Sequence, residues 1–201
     1  MHVLMPEVAS PMAAEAADAL TAAGHAVHTC HDPGHQGFAC VALRDGDCPL
    51  EASPIDVVLG VRRSADPQPR RSEDALLCGA RHRIPLVVAG ATEPNPFERW
   101  TSATSTVADV VAAVEAAAIA PLPVQTAAAA EELEQALRLA GTDPAGASVV
   151  VFRRMAGLRV ELTLPAGVPP RVAHAAAVRV DQAVRGVDPW AVAVDVVVVP
   201  S

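Results

Sequence analysis

The residues best equipped for chemistry lie between Cys30 and Cys48, in the stretch CHDPGHQGFACVALRDGDC. It holds Cys30, Cys40 and Cys48 with His31 and His35 between them, and Cys78 and His82 follow further along. Thiolates and imidazoles together suit Zn²⁺ or an iron–sulfur cluster. The four thiols are the expected metal ligands, with His31, His35 and His82 as alternates. The spacing C-x9-C-x7-C-x29-C has neither the close paired knuckles of a zinc finger nor the run of a ferredoxin. The plainer reading is packing: a buried thiol behaves as a small apolar group, and Cys78 beside Leu76 and Leu77 fits a core position. Cys30 or Cys48 is also a nucleophile candidate, because a neighbouring imidazolium lowers a thiol's pKa.

A second candidate is Ser10, followed by Pro11. Serine suits a helix N-cap and proline the first helical position. Backbone N–H groups left free at such an end attract anions, so Ser10 is the candidate cofactor-binding residue, weighed against a simple cap. Glu7, Glu93, Asn95, Arg99 and Trp100 follow strands on the same expected edge and read as pocket lining or solvated loop. Other chemistry is missing. The fingerprint G-x-G-x-x-G is absent after Val3-Leu4-Met5, which argues against NAD or FAD held in the usual way. All fifteen basic residues are arginine, so no lysine Schiff base or P-loop lysine exists. There is no G-x-S-x-G elbow, no HExxH and no phospho-acceptor Asp where the third strand ends.

These residues need a scaffold. Val3-Leu4-Met5 reads as a first strand, 13–23 as a helix ended by Gly24, and 26–29 as a second strand. A loop spans 31–54. Strands are expected at 55–61 and 84–89, with a short helix over 73–80 and a helix from Thr106 to 118 whose Asp109 completes a cap. Strands apolar on both faces and separated by helices imply a parallel sheet covered on both sides. Ligands bind at the carboxyl edge of such sheets, an edge that leaves room for all four cysteines to converge. Beyond Ala120-Pro121-Leu122-Pro123, a helix over 127–140, a hairpin of 148–153 with 158–164, a helix over 169–184 and a strand over 192–199 give the order αββαβ. The expected organisation is a domain over 1–119, a linker over 120–130 and a second domain over 131–201.

The chain has 201 residues, net charge −8, and only three Phe, two Trp and no Tyr, so its cores must be aliphatic. No basic block or Arg–aromatic interleaving appears, which excludes nucleic acid as the expected partner. The segment MHVLMPEVASPM lacks the plan of a secretory signal, and no apolar run is long enough to span a bilayer. A cytoplasmic location with reduced thiols or metal ligands is the expectation.

Two resemblances add to this. The alternating Leu158, Val160, Leu162 and Leu164, then Gly167-Val168, then a helix with Val172, Val178, Gln182 and Val184, then Val192-Ala193-Val194-Asp195-Val196-Val197, resemble the alkaline-shock-protein family. That family implies a small cytoplasmic stress or scaffolding protein without an established catalytic site. The same pattern is similar to a generic ferredoxin-like α+β domain. In the first half, Leu20–Val27 (LTAAGHAV) resembles the helix-to-strand junction of the broad Rossmann-like group. The fold class expected is α/β: a three-layer Rossmann-like parallel sheet plus a small C-terminal α+β, ferredoxin-like domain.

The leading functional expectation is a non-enzymatic binding or accessory protein. Its first domain carries a Cys-ligated zinc or iron–sulfur site, and its second mediates homo-oligomerisation or partner contact. One rival is an enzyme binding a nucleotide or phosphosugar in the cleft near Ser10. The other is a stress-related scaffold without metal.

Overall fold

The computed structural model of the chain describes residues 1–6, 8–30, 42, 46–154 and 157–199. The chain divides into two units, Met1–Ala118 and Ile119–Ser201. The architecture is α/β, with a five-stranded all-parallel sheet in the first unit and a separate three-stranded mixed sheet in the second.

In the first unit β1 (His2–Met5), β2 (Ala26–Thr29), β3 (Val57–Arg62), β4 (Leu86–Gly90) and β5 (Thr101–Ser105) stand in the order β2-β1-β3-β4-β5. Helix α1 (Pro11–Ala22) starts because Ser10, in extended conformation, accepts from the Ala13 N–H at 3.1 Å, with proline in the first turn. It ends at Gly24, whose φ of 84° is a left-handed stop that glycine adopts without strain. The buried face of α1 (Ala13, Ala16, Leu20) packs with that of α4 (Val110–Ile119) on Val3, Met5, Val57, Leu59, Val87 and Ala89. A short helix α2 (Pro49–Ala52) and helix α3 (Asp74–Arg81) serve the opposite face, where Leu76 packs with Leu4, Val58, Leu86, Val88 and Phe97. Each fully buried leucine here contributes roughly 1.5–3 kcal/mol. Two glycines set how close α3 lies. A Cβ on Gly60 would sit 2.8 Å from a Leu76 methyl carbon, and one on Gly79 would sit 2.4 Å from Val58 Cγ2.

Two elements escaped the sequence reading. β5 is TSATS, half-exposed along its length, and its parallel pairing with β4 makes it a strand. Apolar periodicity cannot reveal an edge strand of this kind. α2 interrupts the long expected loop, with Leu50 packed against the core. The expected helix from Thr106 begins at Val110 instead. Thr106 and Asp109 form its cap, the Thr106 hydroxyl donating to Asp109 Oδ2 at 2.6 Å.

The second unit holds α5 (Pro123–Leu139), β6 (Ser148–Arg154), β7 (Gly157–Thr163), α6 (Pro170–Val187) and β8 (Val194–Val199). Helix α5 starts ahead of the 127 expected for it, taking Pro123 into its first turn and burying Gln125 and Ala129. β6 and β7 form an antiparallel hairpin, and β8 returns through α6 to lie parallel to β7. The aliphatic core (Leu133, Leu137, Val151, Val160, Leu162, Val180, Val184) lies between the helices and one sheet face. Among the described residues no helix is long and apolar enough to cross a membrane.

Candidate functional site

The strand order determines where a ligand fits. β1 connects through α1 to β2 on one side, while β3 lies on the other, so the crevice opens where these connections diverge, beyond the carboxyl ends of β1 and β3. Pro6 follows β1 there, and Arg62, Arg63 and Ser64 follow β3.

Arg62 organises this edge. Its side chain is 1% exposed, and its Nε donates to Glu73 Oε1 at 3.0 Å. Its two terminal nitrogens donate to the Pro94 carbonyl at 2.7 Å and the Asp66 carbonyl. Glu73 is completed by the Arg70 N–H, which donates to Oε2 at 2.8 Å. Gly90, at φ 87°, lets the turn after β4 close on the Arg62 carbonyl. A Cβ there would meet that oxygen at 2.5 Å, and the Ala91 N–H donates to it at 2.8 Å. The charges of Arg62 and Glu73 cancel inside the scaffold.

That leaves two other arginines, Arg63 and Arg70, beside the crevice. A small cleft is lined by Pro6 and Gly60, by Arg63, Ser64, Arg70 and Ser72, and by Glu73 and Leu76. Arg63 is exposed and Arg70 half-buried, with Arg70 donating to the Ser64 hydroxyl at 2.6 Å. Among the described residues no acidic side chain forms an ion pair with either. A chain of net charge −8 thus places two arginines and two serine hydroxyls at one switch point. Such a set favours an oxyanion, and arginine's planar fork suits phosphate.

Ser10 is buried, and its hydroxyl oxygen is engaged by Ala13, so it shapes the start of α1 without lining this cleft. Glu7 lies outside the described residues. Asn95 closes its own loop, accepting from the Phe97 N–H and donating to Thr101, and Arg99 stacks on Trp100 with 3.7 Å from Cζ to the ring centroid.

Of the expected metal ligands and their alternates, the structure describes Cys30, Cys48, Cys78 and His82. His31, His35 and Cys40 lie outside the described residues. Cys30 follows β2 directly and is buried in the α3-side core. Cys48 precedes α2 and is half-buried. Cys78 is exposed on α3, next to Gly79. Gly79 packs on Val58 at the start of β3, so Cys78 sits over the amino-terminal half of that strand. The sequence reading carried α3 to the carboxyl edge without its direction: Leu76 covers Gly60 and Gly79 covers Val58, so the helix runs back down the strand. Among the described residues no three of His, Cys, Asp and Glu group as metal ligands.

One contact escaped the sequence reading altogether. His2 Nδ1 lies 2.9 Å from His28 Nε2, and the rings stack with centroids 5.1 Å apart. Pairing of β1 with β2 in this register brings together residues 26 apart in sequence. Burial first, and the His2 imidazole second, hold His28 below its ordinary pKa of 6.5. Asp56, at the amino end of β3, accepts from the His2 N–H at 2.8 Å. It ties strand starts together and takes no part in the crevice.

The second unit has its own cleft of ≈ 420 Å³, lined by Ala130, Leu133, Pro144, Ala147 and Val149, with Glu134 and Asp143 beside them. The charged side chains that line it are both acidic.

Compared with models of known protein families and with curated proteins, this chain matches none.

Proposed function

We propose that this chain is a binding protein whose first unit seats the phosphate group of a small ligand, a nucleotide or phosphosugar, at the β1/β3 crevice. The observation that carries the reading is the placement of Arg63, Arg70, Ser64 and Ser72 around one cleft at the strand-order switch point. Helices that follow parallel strands point their N-termini at this edge, which adds a favourable partial charge for an anion. The finer description as a three-layer Rossmann-like unit belongs to the same proposal, since that architecture puts its ligands there. The second unit, an αββαβ module of ferredoxin-like type, supplies partner contact.

Thermal melting of the full chain with pyrophosphate, nucleoside mono- and diphosphates and sugar phosphates tests this. A ligand at a hundred times its Kd should stabilise the protein by about 2.7 kcal/mol. The shift should disappear in the Arg63→Ala/Arg70→Ala double variant. No shift with any of these ligands, or a shift that survives in the double variant, rejects the reading.

A second reading keeps a metal on Cys30 and Cys48. It is favoured by Leu50, two residues beyond Cys48, packing against the core that buries Cys30. The sequence between the two thiols supplies His31, His35 and Cys40 toward the four ligands zinc takes. Its expected result is near-stoichiometric zinc or iron that is lost in Cys30→Ser. Metal-free purified protein rejects it.

A further inference from the structure

The two edges of the second unit's sheet are treated differently. At the β6 edge, the Val151 carbonyl accepts from the Leu122 N–H at 2.8 Å, and the Val151 N–H donates to the Thr126 hydroxyl at 3.1 Å. Pro121 forms a bridge with Phe152 beside them. The chain entering the unit therefore closes that edge.

Among the described residues the β8 edge is open. β7 and β8 are parallel, with Leu158 beside Val194, Val160 beside Val196 and Leu162 beside Val198. The Leu158 N–H donates to the Ala193 carbonyl at 2.8 Å. In a parallel ladder of this register, Asp195 and Val197 turn their N–H and C=O toward β7. Val194, Val196 and Val198 therefore turn theirs away from it. Among the described residues no backbone hydrogen bond beyond the β7 ladder involves these three. The strand carries five valines and one aspartate, with no lysine, proline or bulge to guard it. Val198 is 48% exposed, and Trp190 and Val192 just before the strand are more exposed still.

We propose that β8 is a dimer edge, pairing antiparallel with β8 of a second copy of this chain about a two-fold axis at Val196. The proposal rests on reading the second unit as the associating part, and it names the partner. Its support is the strand's self-complementarity. A two-fold at Val196 sets Val196 against Val196 of the second copy and Val194 against Val198. All three outward residues then fall at hydrogen-bonded positions, each pair exchanging two bonds. The same register puts Asp195 opposite Val197 of the other copy, so the two aspartates are never directly opposed. Within its own sheet Asp195 stands beside Arg159, which also pairs with Glu161, so this part of the sheet carries one net negative charge, which repels an acidic peptide, and the strand is otherwise apolar. An apolar, β-branched strand is the matching partner, and β8 itself is one. Isologous contacts of this kind close on themselves and do not propagate into fibres.

Light scattering after gel filtration, from micromolar to hundreds of micromolar full chain, provides the test. The expected mass is twice the 20.7 kDa monomer, with a monomer fraction appearing on dilution. Val196→Pro is the diagnostic variant: its lost N–H points away from β7, so the β7 ladder stays whole. It should be monomeric with an unchanged far-ultraviolet spectrum. Should Val196→Pro fail to fold, Val198→Lys reads the same edge and should also be monomeric. A wild-type chain that stays monomeric throughout overturns the proposal. A dimer that survives in both variants, or in Val198→Lys where only that variant folds, overturns it as well. Ligand-induced melting shifts are unaffected by either result, so the mass measurement and the phosphate reading fail separately.

Discussion

Arg62→Ala should cost the first unit about 3–5 kcal/mol, the range for breaking a buried ion pair by removing one partner. The variant leaves Glu73 buried beside β3 without the guanidinium that neutralises it. It also strips the Pro94 and Asp66 carbonyls of their donor, detaching the loops after β3 and β4 together. Whole domains are stable by about 5–15 kcal/mol, so a loss of this size takes much of the margin. Urea unfolding followed through Trp100, in a Trp190→Phe background, reports on this unit because each unit carries one tryptophan. The midpoint should fall steeply. Arg62→Met combined with Glu73→Leu should recover a large part of the loss, because an apolar pair of similar volume carries no desolvation cost. If Arg62→Ala unfolds with an unchanged midpoint, the ion pair does not hold this edge.

Asp188→Ala should produce the corresponding loss in the second unit. Asp188 is 1% exposed, at the end of α6, and its Oδ2 accepts from Gln125 Nε2 at 2.9 Å and from an Arg153 terminal nitrogen at 3.2 Å. One carboxylate thus joins the start of α5, the end of α6 and β6, three elements far apart in sequence. Its removal takes the Asp188 carboxylate away from the buried Arg153 guanidinium and the acceptor away from the buried Gln125 amide, again about 3–5 kcal/mol. Asp188→Asn keeps an oxygen acceptor but loses the charge, and should cost about 1.5–3 kcal/mol, the worth of a hydrogen bond to a charged group. The order Ala worse than Asn, read from Trp190 fluorescence in a Trp100→Phe background, separates charge from shape. Equal losses would show that packing alone matters at this position.

Sequence alone determined the local elements of this protein. Ser10-Pro11 marks the start of α1 and Gly24 its end, because capping and left-handed backbone are decided within a few residues. The continuous apolar runs of β3 and β4 declare a parallel sheet buried on both faces, and the αββαβ order of the second unit follows from its periodicities. The arginine-lined cleft was not legible. Nothing in VRRSADPQPRR distinguishes the arginine that is 1% exposed from the one left at the surface. That distinction needs Glu73, Pro94 and Asp66 brought around it by the pairing of β3 with β4. The thiols show the converse. Their grouping in sequence suggested convergence, but the antiparallel path of α3 against β3 carries Cys78 back over Val58. β5 and the His2–His28 pair exist only through strand register. Propensity and capping act over a few residues and are written locally, whereas burial, ion pairing and strand order depend on residues far apart, which only the tertiary structure brings together.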